Sequence, residues 1–336
     1  MLLVNELFSG IGSQTKALSR AGVLHKVVGI SEIDLPAIQS YEAIYGKAYN
    51  YGDISKIECL RAADFWTYSF PCTDISNAGK MAGITVDTRS GLLLQVKRLL
   101  DIAKARGELP TYLMMENVSM LTSKRFISSF DEWLQYLQDL GYDNKYALIN
   151  SSKQGIPQNR VRVIAISKLL SGGGLSNFEF PSDIPLRLSL EDIIESSVDE
   201  RYYLQKDKYS KILTVFEDRV QVKQATKRGY IEMPLGGVCD INYLFSKTRR
   251  GRVQGLGKIC PTLTASATGI VYVGSDGRVR DLTGLEYWRL MGFDDEDYYK
   301  AKGAGVTEAQ LKKQAGNSIV VDVLERIFAE LFKEEL

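Results

Sequence analysis

A cysteine stands directly after a short apolar run, in the sequence Ser69-Phe70-Pro71-Cys72. Residues 65–70 predict a buried strand, which Pro71 ends because proline cannot donate a hydrogen bond to a sheet ladder. Open α/β sheets place their ligands just past strand ends, so Cys72 is a candidate nucleophile. A lone cysteine is more often an inert core residue. The choice between these two interpretations depends on which other side chains could act with the thiol.

Three polar side chains are candidates for that partnership. Glu116 follows a predicted strand over residues 111–115, although a carboxylate there could also cap a helix. Arg160 and Arg162 alternate with valines, so on a strand both guanidinium groups would face one side. An exposed polar face of an antiparallel sheet would give the same pattern.

A glycine-containing turn, residues 8–12, separates a predicted first strand over residues 2–7 from a helix over about residues 13–21. Ser13 is expected to cap this helix and Gly22 to close it. Such a turn lets backbone amides approach a ligand closely. The third glycine of the dinucleotide fingerprint is missing, because Thr15 stands in its place.

Two acids follow this turn at successive strand-to-helix junctions. Glu32 ends the second predicted strand, where a carboxylate can accept from both hydroxyls of a ribose. Asp53 could accept from an exocyclic amine such as that of adenine. Each acid alone is more often a surface or capping residue, but together with the turn they favour an adenosine-type cofactor. The sequence contains no phosphate-binding G-x-x-x-x-G-K-[ST] loop.

The composition is that of a soluble globular protein. The 336 residues are 45% hydrophobic and 25% charged, enough for one large domain and a smaller one. We expect a cytoplasmic protein, because there is no secretory leader or transmembrane-length apolar run. The four cysteines form no C-x-x-C pair and His25 is the single histidine, so no metal site is expected. Acid–base chemistry would therefore fall to carboxylates or water.

Positive charge is concentrated in residues 206–258, which hold twelve Lys and Arg against five Asp and Glu. Arg249, Arg250 and Arg252 form its densest cluster. A basic segment on a nearly neutral chain indicates a localised contact with a polyanion, although a solvated basic face is the simpler alternative.

The remaining patterns indicate alternating strands and helices. Amphipathic helices are predicted over residues 89–105 and 125–140, and a β-hairpin pair of strands over 146–150 and 161–167. The pattern becomes irregular after residue 171. Helices are predicted again over residues 282–291 and 319–332.

In this order and spacing, the motifs resemble those of the bacterial and phage cytosine-5 DNA methyltransferase family. The resemblance extends from residue 6 to about residue 327. It is carried by Phe8-Ser9-Gly10-Ile11-Gly12, Glu32, Gly52-Asp53-Ile54, Phe70-Pro71-Cys72, Glu116-Asn117-Val118, Gln158-Asn159-Arg160-Val161-Arg162 and Gly316-Asn317-Ser318.

The resemblance implies an α/β fold with a Rossmann-like, S-adenosylmethionine-dependent methyltransferase domain and a smaller target-recognition domain of β and irregular structure. We expect the catalytic and cofactor-binding domain over residues 1–170 and the recognition domain over 171–280. Residues 281–336 are expected to return to the catalytic domain.

It also implies which residues hold S-adenosylmethionine. Glu32 would bind the ribose and Asp53 the adenine amine, and Ile33 replaces a larger stacking residue, which would weaken the adenine sandwich. The full expected set is Phe8, Gly10, Ile11, Gly12, Glu32, Ile33, Asp53, Ile54, Leu92, Asn317 and Ser318.

For catalysis, the resemblance implies that the Cys72 thiolate adds to carbon 6 of a cytosine flipped out of duplex DNA. Glu116 would bond ring nitrogen 3 and the exocyclic amine, Arg162 the ring carbonyl, and Arg160 would support the site. Thr73 departs from the family pattern, which commonly has a glutamine after the cysteine. Expected DNA contacts are Ser76, Asn77, Arg89, Arg249, Arg250 and Arg252.

The sequence therefore predicts a monomeric DNA (cytosine-5)-methyltransferase that acts on double-stranded DNA without a membrane or metal. Three alternatives remain: the same chemistry on RNA, a non-catalytic DNA-binding homologue, and an unrelated Rossmann oxidoreductase. The missing third glycine disfavours the oxidoreductase, and the presence of Cys72, Glu116 and both arginines disfavours a degenerate homologue.

Overall fold

The computed structural model describes residues 1–71, 89–224, 226–242 and 252–334, with the backbone alone for residues 89 and 90. The chain forms two compact units. Unit 1 comprises residues 1–149, 161–182 and 323–336, and unit 2 comprises residues 150–160 and 183–322. The predicted domain boundaries at residues 170 and 280 do not coincide with these divisions, since residues 281–322 belong to unit 2.

The strands, numbered in chain order, are β1 Leu2–Leu7, β2 His25–Ser31, β3 Phe65–Tyr68, β4 Tyr112–Val118, β5 Tyr142–Asn150, β6 Gln158–Asn159, β7 Val161–Leu169, β8 Leu213–Val215, β9 Arg219–Lys223, β10 Tyr230–Pro234, β11 Gly237–Asp240, β12 Cys260–Pro261, β13 Ile270–Val273 and β14 Val279–Asp281. The helices are α1 Ser13–Arg20, α2 Leu35–Tyr45, α3 Leu93–Arg106, α4 Ile127–Asp139, α5 Leu190–Ile193, α6 Lys206–Tyr209, α7 Gly284–Leu290, α8 Asp295–Gly303, α9 Glu308–Asn317 and α10 Val321–Leu331.

Unit 1 is built on a six-stranded sheet in the order β2-β1-β3-β4-β7-β5. Strands β1 to β4 run parallel, and β7 runs antiparallel to β4. Sheets of this kind are covered on both faces, which explains why the strands read as nearly continuous apolar runs. The predicted Rossmann-like α/β fold is confirmed.

Both faces of β3 are packed. On one face, the Tyr68 hydroxyl accepts a hydrogen bond from Trp133 Nε1 of α4 at 3.1 Å. On the other face, the Phe65 ring meets the rings of Phe328 and Phe332, each at 5.6 Å between centroids. Phe328 lies in α10 and Phe332 directly after it, so the end of the chain completes the core of the first unit.

Two local expectations were wrong. Ser13 does not cap α1: it is the first helical residue, and the N-cap is Gly12 in a left-handed conformation (φ 76°). Glu116 does not follow its strand but lies within β4, two residues before the strand ends. The strands predicted over residues 146–150 and 161–167 do lie side by side in the sheet, as β5 and β7.

Unit 2 contains small sheets and short helices. Its three-stranded sheets have the orders β10-β9-β8 and β11-β13-β14, and β6 pairs with β12. Strand β9 alternates buried and more exposed residues, and its Val220 and Val222 pack with Met233 of β10 in a small apolar core. Helices α7, α8 and α9 each begin with a capping box, in which the N-cap side chain and the third helical residue bond reciprocally. Within the described ranges, no helix has the length and apolar character required to span a membrane.

Candidate active site

The carboxyl ends of β1, β2, β3 and β4 lie at one edge of the sheet because these strands are parallel. The antiparallel β7 begins at the same edge, where Arg162 pairs in register with Val118. The order of the strands has a switch point at β1. Strand β2 is added on one side of β1, and the chain then crosses to the other side to form β3. Open α/β sheets bind ligands at such a switch point.

The turn after β1 combines three left-handed residues: Phe8 (φ 59°), Gly10 (φ 55°) and Gly12 (φ 76°). A side chain at Gly12 would be blocked, because its Cβ would lie 2.5 Å from the Tyr45 ring and 2.7 Å from the Tyr41 ring. At Gly10, by contrast, an added Cβ would meet no atom within 4 Å. The turn is therefore packed against α2 at Gly12, and it has open space next to Gly10.

Glu32, directly after β2, binds the turn. Its Oε2 accepts from the Gly10 backbone N–H at 2.9 Å, and its Oε1 accepts from the backbone N–H groups of Ile33 and Asp34, both at 2.8 Å. These three bonds use three of the roughly four acceptor positions of a carboxylate. The carboxylate is thus fixed in orientation beside Gly10.

The segment around Asp53 is held to the end of β2 by Asn50. Asn50 Oδ1 accepts from the backbone N–H groups of Glu32 (3.2 Å) and Gly52 (2.9 Å), and its amide donates to the Glu32 carbonyl at 3.0 Å. Asp53 Oδ1 accepts from the N–H and hydroxyl of Ser55, and these hydrogen bonds lower the pKa of the Asp53 carboxyl. Asn50 therefore joins the backbone of Glu32 to that of Gly52, the residue before Asp53.

An apolar side chain accompanies these carboxylates. The Ile33 side chain is 70% exposed directly beside Glu32. Ile54 is buried in the core of unit 1, and Phe8 and Leu92 are partly buried against it. An open glycine turn, fixed acids and an exposed apolar side chain fit an adenosine-containing cofactor.

Glu116 and Arg162 form an ion pair at the same edge. Arg162 Nε lies 3.0 Å from Glu116 Oε1, and the two side chains are 17% and 10% exposed. Glu116 of β4 pairs in register with Ile164 of β7. Arg162 is two residues before Ile164 in β7, so its side chain lies on the same face of the sheet as that of Glu116. A carboxylate and a guanidinium side by side can bond a planar ring that carries both donors and acceptors.

Asn117 fixes the end of the neighbouring strand. Its Nδ2 donates to the Phe70 carbonyl at 3.1 Å, and its side chain is buried. Phe70 stands two residues before Cys72. The residue next to Glu116 therefore anchors the backbone that leads to the predicted nucleophile.

Comparisons with known proteins show what the whole chain is similar to. The family described as C-5 cytosine-specific DNA methylase matches residues 2–333. The type II methyltransferase M2.ScrFI of Lactococcus lactis subsp. cremoris is 34% identical, with 100% of both chains covered. The chain belongs to the C-5 cytosine-specific DNA methylase family.

A phage relative and two solved structures are also similar to this chain. The orphan methyltransferase M.SPBetaI of Bacillus phage SPbeta is 29% identical, over 98% of this chain and 97% of the phage protein. The structure of S. pombe Dnmt2 methyltransferase has a TM-score of 0.71 and 22% identity, over 100% of this chain and 99% of that one. Entamoeba histolytica methyltransferase EhMeth has a TM-score of 0.74 and 17% identity, over 100% and 99%. The two structures share the fold.

Members of this methylase family use S-adenosylmethionine as methyl donor. The predicted cofactor residues of unit 1 are brought together by the structure at or beside the carboxyl edge: Phe8, Gly10, Ile11, Gly12, Glu32, Ile33, Asp53, Ile54 and Leu92. Asn317 and Ser318 belong to unit 2, where Asn317 is the exposed last residue of α9 and Ser318 is its buried C-cap.

Arg160 has a different environment from Arg162. It lies in unit 2 and is 4% exposed, and its guanidinium donates to the carbonyls of Leu263 (2.8 Å), Gly316 (3.1 Å) and Ser318 (2.7 Å). The two arginines therefore contact separate sets of partners. This position supports a role for Arg160 in holding the Gly316-Asn317-Ser318 segment.

Of the residues predicted to contact DNA, the structure describes the side chain of Arg252 alone. Cys72, Ser76, Asn77, Arg249 and Arg250 lie outside the described residues, as does the side chain of Arg89. Arg252 is 4% exposed, and its Nη1 donates to the Asp240 carbonyl at 3.3 Å. A buried guanidinium on a backbone carbonyl does not favour a contact with DNA.

Two residues of the site, Asn50 and Asn117, were missed by the sequence analysis as functional residues. Both are amides that join one strand end to the next segment. Asn117 belongs to the Glu116-Asn117-Val118 motif, in which a role was predicted for Glu116 alone. Its amide could have been predicted to bond the backbone of a neighbouring segment. Asn50 carried no comparable signal, because its partners are set by a turn that the sequence pattern does not specify.

Proposed function

We propose that this methylase transfers a methyl group to carbon 5 of a flipped-out cytosine within a specific sequence of double-stranded DNA. The observation that carries the proposal is the Glu116–Arg162 ion pair, since it stands at the same sheet edge as the Gly10–Glu32 turn. The strand between them, β3, leads to Cys72.

Carbon 5 of cytosine is a poor nucleophile until a thiolate adds to carbon 6. A bond from Cys72 Sγ to carbon 6 would form, and the displaced electron pair would become available at carbon 5. Glu116 would bond ring nitrogen 3 and the exocyclic amine, and Arg162 would bond the carbonyl oxygen. These contacts stabilise the negative charge that enters the ring as the thiolate adds.

S-adenosylmethionine supplies the methyl group from its sulfonium. The turn at residues 8–12 and Glu32 would hold it at the open position above Gly10. After transfer, the proton on carbon 5 leaves to a base, which we assign to water because the chain contains one histidine. Its electron pair re-forms the ring double bond and expels Cys72.

The target base must leave the duplex stack, because carbon 6 is shielded within it. Flipping costs a few kcal/mol, which contacts of the enzyme with DNA offset. We assign the phosphate contacts to the basic segment of residues 206–258 and the closing contacts to Ser76 and Asn77. The affinity for non-specific duplex DNA should fall steeply as the salt concentration rises. An affinity that does not change with salt in a filter-binding titration would exclude phosphate contacts by the basic segment.

The decisive experiment supplies S-adenosylmethionine with duplex DNA or with RNA, followed by bisulfite sequencing of the product. We expect 5-methylcytosine in one sequence context of the duplex. Methylation of RNA alone would favour the same chemistry on RNA. Covalent trapping on a duplex containing 5-fluorocytosine separates an active enzyme from a non-catalytic DNA-binding homologue, since only the former forms a stalled adduct.

We further infer that the enzyme acts as a monomer in the cytoplasm. Each of its catalytic side chains comes from one chain, which is sufficient for the reaction above. Light scattering of the purified protein with and without duplex DNA tests the oligomeric state.

A further inference from the structure

The basic segment of unit 2 contains a β-hairpin, residues 219–234, that presents one polar face to solvent. Its strands β9 and β10 pair antiparallel. Val220 and Val222 of β9 and Met233 of β10 are buried in the small apolar core. Side chains alternate between the two faces of a strand. The face opposite the core therefore carries Arg219, Gln221, Lys223, Tyr230 and Glu232.

This hairpin is cationic for its length. Residues 219–234 carry four cations and one carboxylate, a net charge of +3, on a chain whose total is +1. Lys223, Lys227 and Arg228 are exposed at or beside the hairpin tip. A surface of this kind is complementary in charge to DNA phosphates, and a ribbon of two antiparallel strands is narrow enough to enter the major groove.

The Arg228 side chain is held in one orientation although it is 64% exposed. Its guanidinium carbon lies over the Tyr230 ring, 4.5 Å from the ring centroid. Its Nη2 lies 3.7 Å from Glu232 Oε2, which is too long for a hydrogen bond. The Arg228 N–H groups form no hydrogen bond with a described residue. A ring and a charge thus orient the guanidinium, and its planar fork of donors remains available.

Glu232, which helps to orient Arg228, is fixed by two neighbours. Gln221 lies opposite it in register and donates from Nε2 to Glu232 Oε1 at 3.1 Å. Arg219 Nε lies 3.3 Å from the same oxygen. Arg219 also donates from Nη1 to both carboxylate oxygens of Asp218, at 2.9 and 3.1 Å. Arg219 therefore uses its donors within the protein, in contrast to Arg228.

The arrangement around Arg228 is not explained by stability. An exposed ion pair contributes little to the free energy of unfolding, because solvent and salt screen it. Orientation of an exposed arginine does, however, reduce the side-chain entropy that a later contact with a ligand would cost.

We propose that Arg228 is a specificity-determining residue that reads a guanine in the major groove of the recognition sequence. An oriented guanidinium can donate two N–H bonds, to guanine O6 and N7, which is the commonest base-specific contact between proteins and DNA. Glu232 is the positioning residue for Arg228, and Lys223 and Lys227 contact phosphates beside the groove. The inference rests on duplex DNA as the substrate in the proposed function.

The test methylates a pool of duplexes that carry cytosines in random sequence, with the full-length protein and S-adenosylmethionine, followed by bisulfite sequencing. For the wild type, we expect a guanine at one fixed position outside the target base pair. Arg228→Ala should relax this requirement by roughly 10- to 100-fold, which is the discrimination that a bidentate contact supplies. The requirements at the other positions should remain.

Arg228→Lys separates base reading from phosphate binding. Lysine keeps the positive charge but lacks the planar fork of donors, so this variant should relax the guanine requirement as Arg228→Ala does. Lys227→Ala is the matched control from the same tip. It should lower kcat/KM for all sequences alike and reduce the slope of log affinity against log salt by about one.

A change in the DNA tests the same contact from the other side. Replacement of the preferred guanine by 7-deazaguanine removes the N7 acceptor and should lower kcat/KM of the wild type by roughly tenfold. The same replacement should not affect Arg228→Ala, because that variant has no contact to lose. If the wild type tolerated 7-deazaguanine at every guanine of its site, the inference would be wrong whether or not the variants fold.

Identical sequence requirements in the wild type and both Arg228 variants would also overturn the inference. A lysine variant with the wild-type requirement would do the same, since a phosphate contact would then be sufficient. Absence of methylation of every duplex by the wild type would instead contradict the proposed function. The two failures are therefore distinguishable.

Discussion

The two units each contain a glutamate–arginine pair, and the pairs differ in how deeply they are buried. In unit 2, Glu286 accepts two bonds from Arg280, at 2.6 and 2.9 Å, and one each from the backbone N–H groups of Thr283 and Glu195. Those two side chains are 0% and 3% exposed. In unit 1, the Glu116–Arg162 pair has its contact at 3.0 Å and both side chains reach solvent.

We interpret the pair in unit 2 as structural and propose a functional role for the pair in unit 1. The four bonds to Glu286 fill the acceptor capacity of a carboxylate, so this group can do no more than hold α7 to β14. Glu116 lies at the sheet edge beside the path to Cys72, where a substrate could reach it. The residue types are the same in both pairs, and burial and position in the sheet distinguish them.

The largest effect is expected from removal of the Cys72 thiol. If methyl transfer continued without it, Glu116 would have no thiolate addition to assist, and the proposed difference in role between the two pairs would fail. We expect Cys72→Ala to abolish methyl transfer to duplex DNA while S-adenosylmethionine binding survives. The readout is tritium incorporation from labelled cofactor together with calorimetry.

The matched control is Cys239→Ala in unit 2. Cys239 is fully buried, and burial raises its pKa well above the ordinary range of a thiol. This variant should lose stability and keep its transfer rate. Equal activity in the two variants would contradict a nucleophilic role for Cys72.

The second test removes the charge of Glu116. We expect Glu116→Gln to lower kcat by about 10²-fold or more, because an amide cannot supply a proton to ring nitrogen 3 in the transition state. The melting temperature should also fall, since both side chains are mostly buried and the substitution leaves Arg162 without its counter-ion. Single-turnover kinetics and calorimetric melting measure the two effects, and a large melting shift with an unchanged rate would make this pair structural as well.

A different result is expected for the pair in unit 2. Glu286→Gln leaves Arg280 buried without its counter-ion and should reduce the free energy of unfolding by about 3 kcal/mol. The turnover number of the folded fraction should remain that of the wild type. Urea unfolding gives the first quantity and an active-site titration normalises the second. A stable variant with impaired transfer would reverse the assignment of the two pairs.

The smallest effect on methyl transfer is expected for Asn117, which lies next to Glu116 and bonds the Phe70 carbonyl. Asn117→Ala removes the hydrogen bond to the Phe70 carbonyl and should cost about 1 kcal/mol of stability. Because this bond fixes the backbone before Cys72, the transfer rate should also fall by several-fold. Asn117→Asp, which keeps an acceptor and loses the donor, should behave in the same way. Unchanged rates in both variants would show that the strand end needs no such anchor.

The sequence predicted unit 1 well because its signals are local. The turn at Gly10, the acid at Glu32 and the carboxylate at Glu116 each lie within a few residues of a strand end, and a parallel sheet brings such ends to one edge. The environment of Arg160 could not be predicted in this way. Its partners Leu263 and Gly316 are distant in the sequence, and only tertiary structure reveals that they surround one guanidinium.

Unit 2 was predicted less completely, for two physical reasons. Its strands β8 to β14 have two to five residues, which is too short for an alternation pattern to distinguish strand from loop. Helices α8 and α9 were not predicted, although Asp294-to-Asp297 and Thr307-to-Gln310 carry the capping-box spacing that marks a helix start. In these helices the start signal was more informative than the weak apolar stripe.

The packing of Phe328 and Phe332 on Phe65 has a consequence for biosynthesis. At roughly 5–20 residues per second, β3 leaves the ribosome well over ten seconds before the phenylalanines that cover it. During that interval Phe65 of β3 lacks the cover of these two rings in the nascent chain. The protein should therefore depend on chaperones while it is being made, and premature termination before α10 should yield an aggregation-prone product.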